Sequence, residues 1–239
     1  MVVGWKLAAG AKGILLLLDL GRPERFWRVF AKPGQSWISR GSYAFAAFAA
    51  SGAVAIGATA LGATELGVVA SVIAGASSLV MISYEGLFLN ESAGVSSWRP
   101  RMLPVLFALN ALGAGGALSA GLMGHSPVIL SVGTMAALAG SAAAGQAYLQ
   151  KLRDSDKAAR LSEHELTKGD QRNLFWLGAG VLGTLVPFGI AATSLMGVTG
   201  PKRLAFAGVC ASVGALALRK AVLQAGIHAP ITEPVAKEN

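Results

Sequence analysis

"MLPVLFALNALGAGGALSAGLMGHSPVILSVGTMAALAGSAAAGQAYLQ", Met102 to Gln150, contains no Asp, Glu, Lys or Arg. A membrane-spanning helix needs roughly 20 predominantly apolar residues, so this run is long enough for two. The "GHSP" stretch, Gly124 to Pro127, supplies the Gly and Pro punctuation of a turn between them. The strict in-out alternation of a membrane β-strand is missing. The run therefore reads as two antiparallel spans joined by a short connection.

The same pattern recurs outward from this block. Residues 41–64, 66–84 and 173–201 also lack charged side chains. Over its 239 residues the chain is 54% hydrophobic and only 13% charged, about half the charge of a soluble domain. These features predict an all-α fold, a polytopic integral membrane helical bundle of about seven transmembrane helices in a single domain, 1–239. The spans are expected near 2–20, 41–63, 66–89, 102–123, 127–150, 174–197 and 203–225. Lys6 and Lys12 interrupt the first. Arg219 and Lys220 fall near the end of the last, where long side chains can reach the interface. No cleavable leader is evident in the first 20 residues, which lack a small-residue cleavage site followed by a polar chain.

The formal net charge of +8 does not indicate nucleic acid, because the positive residues lie in the connections between apolar blocks. Of the 20 Lys and Arg residues, all but Lys6, Lys12, Lys202 and Arg203 fall on one side of the expected topology. The positive-inside rule makes that side cytoplasmic, and places 21–40, 90–101, 151–172 and the C-terminus there. Seven spans would then leave Met1 on the other side, so an eighth helix is expected to belong in front. Residues 151–172 carry mixed charges without a wide hydrophobic stripe. They are expected to be a solvated loop and a surface for a cytoplasmic partner. Cys210 is the single cysteine, which excludes a disulfide framework and a Cys-ligated cluster within this chain.

At the end of the first span stands "DLGRPERFWRVF", Asp19 to Phe30. Gly21 and Pro23 stop a helix, and Phe26, Trp27 and Phe30 suit the headgroup level. Read from the residues alone, this is a helix stop with an aromatic anchor. The stretch also resembles the signature of the NrfD family, the membrane subunits of polysulfide-reductase-type complexes. "ISYEGLFLNES" (Ile82 to Ser92), "WRPRMLPVLFALNALGAGGAL" (Trp98 to Leu118), "FWLGAGVLGTLVPFGI" (Phe175 to Ile190) and "LRKAVLQAGIHAP" (Leu218 to Pro230) resemble later helices of that family, in order. The family's first helix has no counterpart here.

The resemblance implies a membrane anchor in a bacterial cytoplasmic membrane that exchanges electrons with a quinone pool, menaquinone or ubiquinone. Its implied partners are a ferredoxin-like iron–sulfur subunit and a catalytic subunit, such as a molybdopterin enzyme. The chain would be a quinone-reactive or non-catalytic part of an oxidoreductase complex, without haem and without a metal of its own.

Several residues are candidates for chemistry, each with a plainer alternative. Glu85 is the one acidic residue between Leu66 and Asn90. A carboxylate at membrane depth costs about 2–3 kcal/mol on insertion scales. Beside the Tyr84 phenol it suits proton transfer at a quinone; alternatively it is hydrated near the interface or paired with an arginine. Asn110 lies mid-span, where an interhelical hydrogen bond is the plain reading and a quinone contact the functional one. Asp19, Arg22, Glu24 and Arg25 form a charge cluster that braces the headgroup region or a partner interface. Glu65 reads as a solvated turn. None of His125, His164 and His228 falls within an expected span, which argues against haem ligation. The competing functions are a small-solute transporter or proton-conducting protein, and a purely structural anchor.

Overall fold

The computed structural model describes residues 27, 28, 30, 34, 36–92 and 94–227. The expected span 2–20, the charge cluster Asp19, Arg22, Glu24 and Arg25, and His228 with the C-terminal tail lie outside the described residues. Within them the structure is all-α. Its helices are α1 (Trp37–Ala60), α2 (Thr64–Asn90), α3 (Met102–Met123), α4 (Val128–Arg153), α5 (Lys157–Thr167), α6 (Leu174–Leu195) and α7 (Pro201–Ile227). All but α5 are long and apolar enough to cross a membrane. Each of the six falls within a few residues of an expected span. The chain is a multi-pass helical membrane protein.

The inside and outside of these helices are inverted relative to a soluble bundle. α2 buries only Gly67, Ala70 and Gly86, while Val68, Val69, Val72 and Leu79 are exposed. α7 buries Ala207, Gly208, Ala211 and Gly214, among others, and exposes Phe206, Val209, Val213 and Leu216. Large apolar side chains gain nothing by leaving lipid. Small residues instead let helix backbones approach and gain dispersion contacts.

The chain divides into two compact units, 1–88 and 89–239. In the first, α1 begins at Ser36, whose hydroxyl accepts from the Ser39 N–H. α1 passes to α2 through Gly62, whose φ of 75° favours glycine. Here Ala63 N–H donates to the Ala58 carbonyl at 2.8 Å, satisfying one of the helix's last carbonyls. Glu65 is exposed in the first turn of α2, where the helix dipole favours a negative charge.

The second unit is an up-down-up-down bundle of α3, α4, α6 and α7, in which α3 packs on α4 and α7, and α6 on α7 and α4. A Cβ added at Gly121 would meet the backbone of Ala205 and Leu204, and one at Gly208 the backbone of Leu118 and Ala117. These two crossings define the antiparallel register of α3 on α7.

One end of this bundle carries a folded layer. The 3₁₀ turn Ser96–Trp98 and helix α5 cover it. Tyr148, fully buried, donates to the Ser97 carbonyl at 2.8 Å, and Ser162 to the Ala225 carbonyl at 3.0 Å. Trp98 Nε1 donates to the Val222 carbonyl, and Asn90 Nδ2 to the carbonyls of Trp98 and Arg99. Asp156 caps α5 by accepting from the Ala159 N–H at 2.9 Å and also accepts from the Ser96 hydroxyl at 2.8 Å. Burial by itself would raise the Asp156 carboxyl. The two hydrogen bonds and the nearby Arg99 and Arg160 outweigh it and hold the group below its ordinary value.

The expectation of a solvated loop over 151–172 is thus corrected. Half of that segment is α5, and its Ala158, Ala159, Ser162 and Leu166 are buried. The spacing of these four places them on one helical face. Small side chains suffice there because α5 packs close to α7. Arg219 also departs from expectation. Its guanidinium donates to the Ala215 carbonyl and lies 5.3 Å from the Phe107 ring centroid, turned back along α7 rather than out toward its end.

Candidate functional site

α6 is not a regular α-helix. Residues Leu174–Leu185 form a π-helix, and Val186–Leu195 continue as an α-helix. The wider winding shows in the i→i−5 bonds. Val186 N–H donates to the Val181 carbonyl, and the Thr184 hydroxyl to the Ala179 carbonyl at 2.9 Å. Pro187 follows with no N–H to offer. In an i→i+5 ladder, residues five apart lie one above the other, so Gly178 and Gly183 share a face. A Cβ on Gly178 would come within 2.6 Å of the Ala217 Cβ, and one on Gly183 within 2.8 Å of the Gly214 Cα. Both glycines therefore seat α6 directly on α7. Long π segments are rare, and short ones recur at functional sites.

On the opposite side of α6 lies a cleft of about 300 Å³, walled by α3, α4 and α6 and reached by Leu218 of α7. α3 contributes Leu106 and Asn110, one helical turn apart and both buried. α4 contributes the small residues Ser141, Ala142 and Gly145, which open the space, together with Gln146. α6 contributes Phe175 and Trp176, packed edge to face with centroids 5.3 Å apart, and Thr184 farther along. Among the described residues, no Asp, Glu, Lys, Arg or His lines it. Asn110 is 1% exposed, and its Oδ1 has no hydrogen-bond partner. The interhelical bond expected of Asn110 is thus not made by this oxygen, an orphaned acceptor in an apolar wall.

Tyr84 and Glu85 belong to the first unit, Asn110 to the second. Both Tyr84 and Glu85 are half-buried near the end of α2. The Tyr84 ring lies over Gly41 of α1, so close that a Cβ there would fall 2.7 Å from its Cδ2. Tyr84 thus packs the α1–α2 hairpin in addition to any chemistry it performs. Gln146, Trp176 and Thr184 were not evident as site residues from sequence. The available signals were Pro187 just after Thr184 and the five-residue spacing of Gly178 and Gly183. Among the described residues no group of His, Cys, Asp and Glu is arranged to hold a metal ion. His125 is exposed in the turn between α3 and α4, and His164 is exposed on α5. Comparison of the chain with family models, with curated proteins and with solved structures returns no match.

Proposed function

We propose that this chain is the membrane anchor of a multi-subunit oxidoreductase of the NrfD type, passing electrons between a quinone pool and an iron–sulfur partner subunit. The observation that carries the reading is the folded layer on the second unit. Tyr148, Ser162, Trp98 and Asp156 pin the 3₁₀ turn and α5 to the helices. The exposed Arg99, Arg101, Lys151, Lys157, Arg160, Lys168 and Arg172 lie on or beside it. A shaped, hydrogen-bonded platform is what a permanently bound soluble subunit needs. A transporter instead needs a polar path through its middle. The bundle end opposite the platform carries Lys202 and Arg203 at the start of α7. This charge asymmetry supports, through the positive-inside rule, a reading in which the platform faces the cytoplasm of a bacterial cytoplasmic membrane.

In this reading Glu85 takes the proton of one quinol hydroxyl, and the other hydroxyl, whose oxygen accepts a hydrogen bond from the Tyr84 phenol, releases its proton to water at the interface. The two electrons leave through the partner's iron–sulfur clusters toward the catalytic subunit. The test has two arms on the assembled complex. Reversing Lys157 and Lys168 to Glu should release the iron–sulfur subunit during purification. Glu85→Gln should lower quinone-linked turnover and spare dye-linked activity of the catalytic subunit. Purification of the wild-type chain from its native membrane without an iron–sulfur subunit would refute the anchor reading, whereas full quinone-linked turnover in Glu85→Gln would remove Glu85 from it.

A further inference from the structure

We propose that a cavity between the 3₁₀ turn and the end of α4 binds a phosphodiester bearing a primary ammonium group, the headgroup of an aminophospholipid, with Arg99 and Lys151 on its phosphate and Asp156 on its ammonium. The cavity is about 260 Å³ and is lined by Ser96, Arg99, Pro100, Lys151, Ser155 and Asp156. Apart from Pro100 every one of these side chains is polar or charged, whereas the α3–α4–α6 cleft is largely apolar.

Two cations and one carboxylate in one cavity complement a ligand that carries both signs. Arg99 presents a planar fork of donors and Lys151 a point charge, both suited to phosphate oxygens. Asp156 selects among phosphates. Its carboxyl is held below its ordinary value by the Ala159 N–H, the Ser96 hydroxyl, Arg99 and Arg160, so it stays ionised and a plain phosphate would meet a like charge. A carboxylate offers about four acceptor sites, more than the bonds from Ala159 and Ser96 fill. A primary ammonium brings those sites both N–H donors and an opposite charge. A glycerol hydroxyl brings only a donor, and a quaternary ammonium only a charge.

Position points to a lipid as the source. Pro100 stands just before α3 and Lys151 lies in the last turn of α4, and both helices are long and apolar enough to cross a membrane. The cavity therefore stands at headgroup level, where basic pockets between spans take lipid headgroups. One turn before Lys151, the small Ala147 is half-buried and leaves room beside α4 for an acyl chain. The volume of the cavity equals that of about nine waters of the liquid, enough for a headgroup with its chains outside. The site rests on the placement of α3 and α4 in the membrane and not on the anchor reading. Lys157 and Lys168, which test that reading, do not line it.

The test uses the full chain, stripped of lipid in dodecyl maltoside, and measures bound lipid by native mass spectrometry. The probes are dioleoyl phosphatidylethanolamine, phosphatidylcholine and phosphatidylglycerol. The ethanolamine lipid should bind about tenfold more tightly than either of the others, the worth of one hydrogen bond between charged groups. Asp156→Asn keeps an acceptor for the α5 cap but loses the charge, and should erase that preference. Lys151→Gln changes an exposed side chain, leaves Asp156 in place and should weaken all three lipids alike through the shared phosphate. Glycerophosphoethanolamine, the same headgroup without acyl chains, should bind at least about tenfold more weakly than the lipid. A choline or glycerol lipid that binds as tightly as the ethanolamine lipid, an unaltered preference in Asp156→Asn, or unaltered affinities in Lys151→Gln would overturn the proposal. Glycerophosphoethanolamine binding as tightly as the lipid would overturn the lipid as its source.

Discussion

Gly183→Ala tests whether the π-helical geometry of α6 is set by its contact with α7. The added Cβ would stand 2.8 Å from the Gly214 Cα and 3.0 Å from the Gly214 carbonyl carbon. Both neighbours are backbone atoms, so no rotamer change relieves the overlap. Either the helices separate along their whole contact, or α6 rewinds and turns Gly183 away. Overpacking of this kind costs about 1–3 kcal/mol. Gly189→Ala, six residues along in the α-helical part, is the internal reference. A Cβ there meets nothing within 4 Å, and exchanging Gly for Ala in a helix gains up to about 1 kcal/mol. The two substitutions are chemically identical, so the helix-propensity gain cancels and their difference of about 1–3 kcal/mol isolates the α6–α7 contact. Reversible unfolding in mixed micelles, from dodecyl maltoside into sodium dodecyl sulfate and followed by circular dichroism, reads both. If Gly183→Ala is as stable as Gly189→Ala, then α6 does not rest on α7 through this glycine, and the account of the π segment fails.

Other consequences follow from the folded layer. Asp156→Ala removes the N-cap of α5 and the bond from Ser96; it should destabilise α5 by about 0.5–2 kcal/mol, whereas Asp156→Asn, which still accepts, should cost only a few tenths. Hydrogen exchange of the first α5 amides measures both, and equal losses would show that capping is not the role of this side chain. Because its partners hold the Asp156 carboxyl below its ordinary value of 3.8, its contribution is present above that pH and disappears as pH falls through the depressed folded value. Protection of α5 should therefore be flat from pH 7 to 5 and drop only in stronger acid; a loss beginning near neutrality would contradict the assignment. Tyr148→Phe deletes the buried bond to the Ser97 carbonyl and should lower stability by about 1 kcal/mol, or up to about 3 if that carbonyl stays unpaired, in the same unfolding assay.

Hydropathy was enough to place the six described spans, because a long apolar block has one stable state in lipid. The turn at "GHSP" was legible for the same kind of reason: Gly124 takes a φ of 70° after α3, and Pro127 stands before α4. Helix α5 was not legible, since its buried face is made of Ala158, Ala159 and Ser162 with a single Leu166. Such a face contributes little hydrophobic signal and depends on close backbone approach. The π segment escaped because hydropathy does not report helical pitch; only the Gly178–Gly183 spacing carried the information. Asn110 was visible as a lone amide in an apolar run. That its oxygen finds no hydrogen-bond partner depends on the helices packed around it and not on its own sequence neighbours. The contact of Tyr84 with Gly41 joins two helices 43 positions apart in the chain, and no local pattern encodes it.

The central claim is that α3 and α4 cross the membrane, with the platform at one face and the α3–α4 turn at the other. Single cysteines at Ser155 and His125, in a Cys210→Ser background, test it most directly. Both positions are exposed, whereas Ser162 is buried beneath α7 and would be a poor probe. With an impermeant maleimide and bacterial cells, His125→Cys should label in intact cells and Ser155→Cys only after the membrane is opened. Labelling of both positions from the same side would contradict the account.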